Sequence, residues 1–411
     1  MQDPDFVFDK RGLVRAIELL GEQLPRRRLR TRSATPRLPA WIPSELPERG
    51  LGPERTLERL APLVVGGALP LDDPGMLAHM DPPTPWITWA VQAWTAALNQ
   101  NLLHPELSPA AGPVERRVVE WLAPYFRMDG GHMVPGSSVA NLTALWAARE
   151  LRGIRRVVAS EAAHFSVRKA ARILGLEFRA VPVGPDQRLD PAALPNLRSA
   201  ALVLTAGTTA VGAIDPLRLE TRAAWVHVDA AWAGPLRFGQ QYRARLTGIE
   251  GADSVGFSGH KWLFQPKDSA VVLFRDARTA HRALSFEAPY LSAPHVGVLG
   301  SHGGSAGPLL ATLLAWGRSG LAARVERCMA ISERLGILVG ASPKLELWRS
   351  PTAGIVLWRR RDMGSRRVAA AVRGSYLSTV PIGGLHWLRC VVANPMADPQ
   401  ALVDHVLGVR T

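Results

Sequence analysis

AALVLTAGTTAVGAIDPLRLETRAAWVHVDAAWAG, residues 200–234, opens and closes on short apolar runs, AALVLTAG (200–207) and WVHVDAA (225–231), separated by a connection rich in Gly, Thr and Pro. Apolar runs of this length bounded by turn residues read as buried strands. Working outward, RRVVAS (155–160) and SAVVLFRD (269–276) repeat the strand pattern, while VANLTALWAARELR (139–152) and SVRKAARILG (166–175) carry apolar residues at helical spacing. Strands alternating with helices predict an α/β fold: right-handed crossovers and a mostly parallel sheet with helices on both faces. Sheets of that kind bind ligands at the carboxyl ends of their strands.

Further out, RGLVRAIELLGEQL (11–24) predicts an N-terminal helix, and Pro25 to Pro47 is a Pro- and Arg-rich arm without periodicity. WITWAVQAWTAALNQNLL (86–103) and PVERRVVEWLAPYF (113–126) predict helices ahead of the sheet. A long helix from Pro308 to Gly340 leads into strands near Leu345 to Trp348, Gly354 to Trp358 and His386 to Val392, an α+β pattern. The expected division is an arm over 1–75, a large domain over 76–310 and a small C-terminal domain over 311–411.

The chain has 411 residues, 47% of them hydrophobic and 20% charged, so it can bury a large core and is not a disordered protein. Its net charge of +14 raises the question of nucleic-acid binding. Only Lys10, Lys169, Lys261, Lys267 and Lys344 are lysines, leaving 49 − 5 = 44 arginines, and these are scattered. The one local cluster, Arg26, Arg27, Arg28, Arg30, Arg32 and Arg37, reads as a solvated arm better than as a phosphate-binding surface. Two cysteines, Cys328 and Cys390, exclude a disulfide scaffold or a multi-cysteine zinc module, and no metal site is expected. The first ten residues hold three aspartates and no apolar signal core, and no segment approaches a membrane span, so a cytoplasmic protein is expected.

Four polar segments fall where strands end or helices begin. His260-Lys261-Trp262 follows ADSVGFSG. Lysine is rare in this chain, and it is the side chain that forms an imine with an aldehyde cofactor. Asp229 closes a buried strand and needs a partner there, either a structural cation or a protonated pyridine nitrogen. Gly136-Ser137-Ser138-Val139-Ala140-Asn141 opens a helix, where hydroxyls and free N–H groups either cap the helix or receive a phosphate. His164, in Glu161 to Ser166, precedes another helix as a cap or as a ring that stacks on a cofactor.

Taken together, and with HMDPP (79–83), SPAAGPVERRVVEWL (108–122), GSSVANLTALWAAR (136–149), AHFSVRKAARILGL (163–176), TAGTTAVGAIDPL (205–217), WVHVDAAWAG (225–234), HKW (260–262) and LRCVVANP (388–395), the order of motifs resembles the fold-type-I pyridoxal-phosphate enzymes. More narrowly it resembles the group II amino-acid decarboxylases, which include the aromatic amino-acid, histidine and glutamate decarboxylases. The resemblance spans roughly residues 75–410. It implies a fold-type-I pyridoxal-phosphate-dependent transferase fold with a seven-stranded large sheet, a homodimer with its site at the interface, and pyridoxal 5'-phosphate as cofactor. Lys261 would hold the cofactor, Asp229 would keep the pyridine nitrogen protonated, and His164 would stack on the ring. Ser137, Ser138, Ser258 and His260 would hold the phosphate, Thr208 or Thr209 would contact the 3-oxygen side, and Ala231 would complete the cofactor set. Arg389 would receive the substrate carboxylate.

Two departures stand out. The family's GGSEAN is here GSSVAN, and the loop that carries the family's proton-donating tyrosine is a short segment, YLSAPHVGVLGSHGG (290–304). Tyr290, His295 and His302 are the acids available in it. The expected reaction is amino-acid decarboxylation, with aldehyde formation or another lyase or transfer reaction as the alternative. A second alternative is a non-enzymatic nucleic-acid-binding protein on a retained fold. Trp86, Trp89, Gln92 and Asn99 are candidates for a substrate pocket.

Overall fold

The structure is a computed structural model that describes residues 6–29 and 38–410. Arg30, Arg32 and Arg37 lie outside the described residues. Ten α-helices follow one another as α1 (Lys10–Gln23), α2 (Pro53–Val64), α3 (Trp86–Leu98), α4 (Ala111–Leu122), α5 (Ser137–Arg152), α6 (Phe165–Ile173), α7 (Ala277–Ala283), α8 (Ala306–Gly340), α9 (Ser365–Ala371) and α10 (Pro399–Leu407) among the described residues.

Seven strands form the large sheet: β1 (Gly130–Val134), β2 (Arg156–Ser160), β3 (Glu177–Val181), β4 (Ala200–Thr205), β5 (Trp225–Asp229), β6 (Ser254–Ser258) and β7 (Ala270–Phe274), in the order β1-β7-β6-β5-β4-β2-β3. From β6 across to β3 every pairing is parallel, and β7 runs antiparallel to both β6 and β1. This is the mostly parallel α/β sheet that the strand pattern predicts, with the seven strands that the resemblance implies.

The two-residue period of a strand explains why β4 is buried throughout. Leu202 and Leu204 join a core with residues of α4, α8 and the chain beyond α8. Ala201 and Val203 face the other way, into a core built from α5, α6 and α7. On α5, Ala140, Ala144, Ala147 and Ala148 are all fully buried, so a row of small side chains lets the helix lie close over the sheet.

No α-helix joins β3 to β4, β4 to β5 or β5 to β6, and residues 206–224, between β4 and β5, contain no helical turn at all. The buried carboxylate of Asp215 holds this arm instead, accepting the N–H groups of Thr205 (2.7 Å) and Leu189 (2.8 Å). Pro216 then lacks the N–H with which a helix would continue. The long C-terminal helix departs from expectation too, because Gly317 (φ 62°, ψ 179°) breaks α8 into two helical pieces. Helix α2, not anticipated in the arm, packs against α1.

After the two-residue strands β8 (Ser285–Phe286) and β9 (His295–Val296), the chain builds a small antiparallel sheet. It contains β10 (Leu345–Leu347), β11 (Ile355–Arg360), β12 (Ser378–Ile382) and β13 (Leu385–Val391), in the order β10-β11-β13-β12. Leu77 reaches it from far upstream, donating its N–H to Tyr376 O and accepting from Val391 N.

Two indoles packed at a tilt join the sheets. Trp232 and Trp262 lie 4.1 Å apart by ring centroid, and each donates its Nε1–H to a carbonyl flanking the four-stranded sheet, Ala353 O and Val392 O respectively. Burying rings of this size is worth roughly 1.5–3 kcal/mol each. Gly354 is required for the fit, since its φ is +66° and a Cβ there would sit 2.4 Å from Trp262 Cζ2. Among the described residues no helix is long and apolar enough to cross a membrane.

Candidate active site

Strand ends place the functional side chains. β4, β5 and β6 stop at Thr205, Asp229 and Ser258, and α5 starts just beyond β1. Around a cavity of about 220 Å³ they bring together Gly136, Ser137, Ser138, His164, Thr205, Gly207, Thr209, Asp229, Ala231, Ser258, His260 and Lys261. A larger cavity, about 800 Å³, lies between residues 214–218 and residues 348–357. Its buried acid, Asp215, is already engaged by backbone N–H groups, so it carries no comparable chemistry.

Lys261 lies in the turn after β6. Burial lowers the pKa of its amine, against the opposing pull of Asp229 and Asp81, which favours the neutral nucleophile. Asp229 is 3% exposed. Its Oδ1 accepts the N–H of Ala231 (3.1 Å) and its Oδ2 accepts from Asn141 Nδ2 (2.9 Å). His164 precedes α6, and Ser166 N and Oγ both lie within hydrogen-bond reach of its Nδ1. Its pKa is lowered, first by desolvation and then by Lys261, with Asp229 opposing. His260 is pushed down to about 4, chiefly by burial, and its Nδ1 has no hydrogen-bond partner.

At the other end of the cavity, Ser137 Oγ and Ser258 Oγ share a hydrogen bond of 2.6 Å. No side chain caps α5, so its first N–H groups and its positive dipole end are available to an anion. Thr205 Oγ1 is buried without a partner as well. A buried carboxylate, an amine of lowered pKa, an uncapped helix start and orphaned polar atoms together fit pyridoxal phosphate: an anionic group, a basic ring nitrogen and an aldehyde carbon.

Some expected residues are placed elsewhere. Thr208 is fully buried, and its hydroxyl accepts the N–H of Ala213 (3.0 Å), so Thr209 rather than Thr208 lines the cavity. Arg389, on β13, lies behind Thr209: its Nε donates to Thr209 O (2.9 Å), and its Nη1 donates to Ala78 O (2.9 Å) and Ser378 Oγ (3.3 Å). Burial lowers its pKa to about 10, which leaves it charged at neutral pH. Tyr290 is 72% exposed and outside the cavity. His295 and His302 line a separate pocket with His132, His281 and Glu115. Within one chain, therefore, the loop acids are not brought to Lys261. Trp86 and Trp89, on α3, are exposed and do not line the cavity, and neither do Gln92 and Asn99.

Sequence reasoning gave no role to Asn141 and His227. The available signal was spacing: His227 is two residues before Asp229 on one strand, and Asn141 is four after Ser137 on one helix, so each shares a face with a chosen residue.

The family model described as the pyridoxal-dependent decarboxylase conserved domain matches residues 37–361. An L-2,4-diaminobutyrate decarboxylase of Rhizobium meliloti is 31% identical over 405 residues, covering 87% of this chain and 81% of that protein. Among solved structures, Catharanthus roseus tryptophan decarboxylase in complex with L-tryptophan superposes with a TM-score of 0.86 at 19% identity, covering 99% of this chain and 98% of that one. Rhodiola rosea 4-hydroxyphenylacetaldehyde synthase gives 0.84 at 20% identity, covering 97% and 96%.

Proposed function

The chain belongs to the pyridoxal-dependent decarboxylase family and takes pyridoxal phosphate as cofactor; from that premise we propose that it decarboxylates an L-amino acid in the Lys261 cavity, as a homodimer in the cytoplasm. The observation that carries this reading is the convergence of Lys261, Asp229 and His164 on the uncapped start of α5. When bound, pyridoxal phosphate supplies an aldehyde carbon and a pyridinium ring that accepts the electron pair left behind as CO2 departs.

The chain's own residues do the rest. Lys261 would hold the cofactor through its amine, whose pKa burial lowers. Asp229 would hold a proton on the ring nitrogen, its second oxygen being tied to Ala231. His164 would cover one ring face. Ser137, Ser138, Ser258 and His260 would hold the phosphate, and Arg389, whose Nη2 makes no hydrogen bond among the described residues, would receive the substrate carboxylate.

Exposed apolar side chains support a second copy: Trp86, Trp94 and Leu98 on α3 and Leu314 on α8 are each exposed, and a partner would cover them. A donor from the loop at Tyr290 or His302 would then come from the partner subunit. The two buried free thiols, Cys328 and Cys390, suit a reducing compartment.

The second reading, aldehyde formation, rests on Tyr290 standing outside the cavity of its own chain, so that only a partner's loop could supply it as a proton donor. Mass spectrometry of products from pooled L-amino acids, with Lys261→Ala as control, separates the two. An amine absent from the control is expected. An aldehyde transfers the assignment to oxidative decarboxylation, and no product from any amino acid refutes both.

A further inference from the structure

We propose that Asn141 and His227 are positioning residues: they set the direction of a buried hydrogen-bond chain running from Trp225 to His164, which anchors the Asp229 carboxylate and keeps the ring proton of His164 on Nε2. This rests on the proposed role of the cavity only for its consequence on cofactor binding.

The direction follows from a group that can only accept. The Asp229 carboxylate faces Asn141 Nδ2 at 2.9 Å, so Oδ1 is the amide atom turned to His227 Nε2, 2.9 Å away. The neutral imidazole of His227 therefore carries its proton on Nε2 and donates to Asn141 Oδ1, which leaves Nδ1 to accept the Ser254 hydroxyl proton at 2.9 Å. Ser254 Oγ in turn accepts the indole Nε1–H of Trp225 (2.8 Å). Burial favours that neutral form, holding His227 down to about 4.

With Oδ1 used as acceptor, both protons on Asn141 Nδ2 are donors, one to Asp229 Oδ2 (2.9 Å) and one to Ser166 Oγ (2.9 Å). Having accepted from Asn141, Ser166 donates its hydroxyl proton to His164 Nδ1 at 2.8 Å, where its backbone N–H also points (3.3 Å). His164 Nδ1 is thereby an acceptor, and the ring proton of neutral His164 sits on Nε2. Every side chain along this path except His164 is buried. Water therefore does not readily substitute for a missing link, and the network acts as a unit.

One amide thus serves two groups on the cavity wall. It gives Asp229 Oδ2 a hydrogen-bond donor, and through Ser166 it fixes the tautomer of His164.

Solid-state ¹⁵N spectra of the histidine-labelled full chain, before and after pyridoxal phosphate is added, test this, with His164 assigned by its loss in His164→Gln. Wild type is expected to show His164 and His227 each in a single Nε2–H form. Asn141→Asp, which removes the donor to Ser166, is expected to break the single form of His164. It is also expected to weaken cofactor binding by roughly tenfold to a hundredfold, the range for a lost hydrogen bond to a charged group. His227→Gln, which can accept from Ser254 and donate to Asn141, should preserve the wild-type pattern of His164. Ser166→Ala removes only a hydroxyl and reads the last link even where Asn141→Asp does not fold; it too should mix the His164 tautomers.

A proton on Nδ1 of either histidine in wild type, or an unchanged His164 in the Asn141 and Ser166 variants, would overturn the proposal. A merely structural role would change stability without moving the ring proton. Failure of the cofactor reading looks different: wild type would stay colourless with pyridoxal phosphate whatever its tautomers.

Discussion

Replacing His227 with glutamine should flatten the acid sensitivity of folding. His227 is fully buried against Asn141, Ser254 and Asp229, and burial holds its pKa at about 4 against an ordinary 6.5. At pH 7.5 the group is neutral in both the folded and the unfolded chain. As pH falls below 6.5 the unfolded chain takes up a proton that the folded chain refuses, so stability is lost as pH drops from 6.5 toward 4. At about 1.36 kcal/mol per pH unit, acidification to pH 5.0 costs wild type about 2 kcal/mol through this residue alone. Glutamine does not titrate and can keep both hydrogen bonds. His132, held at about 3, and Glu115, raised to about 7, bias the pH dependence in opposite directions, but equally in both proteins. Urea unfolding at pH 7.5 and 5.0 should thus show a loss smaller by about 2 kcal/mol in His227→Gln than in wild type. An equal or larger loss in the variant would refute a neutral, buried His227.

Asp215→Ala leaves two buried N–H groups, of Thr205 and Leu189, without an acceptor. At roughly 1–3 kcal/mol each, urea unfolding should register a loss of about 2–6 kcal/mol. Gly354→Ala drives a Cβ into Trp262, next to Lys261, at a positive φ; a loss of about 2–4 kcal/mol is expected, with weaker cofactor retention in the same samples. Asp229→Asn removes the carboxylate that would face the ring nitrogen, and should lower kcat by roughly 10²–10³, a range measured for removing one electrostatic partner of a reacting group. A rate within tenfold of wild type would contradict that role.

The parts of the site that were legible in sequence are those set by local rules. Asp229, Ser258 and Lys261 follow apolar runs, and a parallel sheet gathers strand ends at one edge, so their meeting follows from the pattern. Ser137 and His164 stand at helix starts for the same reason. Contacts between distant segments were not legible. Ala78 O, which accepts from Arg389, comes from a segment some 300 residues away that lies against the small sheet, and no periodicity announces that. The hydroxyl of Thr208 is taken by a turn to Ala213, which two adjacent threonines in a sequence cannot distinguish from a cavity-facing pair. The helix-free arm over 206–224 depends on one carboxylate, Asp215, reaching two strands' worth of backbone, again a tertiary fact overriding a local expectation.

The central claim is that Lys261 holds the cofactor. Borohydride reduction of the yellow protein, followed by tryptic digestion and mass spectrometry, tests it most directly. A reduced pyridoxyl group is expected on the peptide Leu246 to Lys267, carried by Lys261. A label on Lys10, Lys169, Lys267 or Lys344 instead, or none on a protein that retains its colour before reduction, would contradict it.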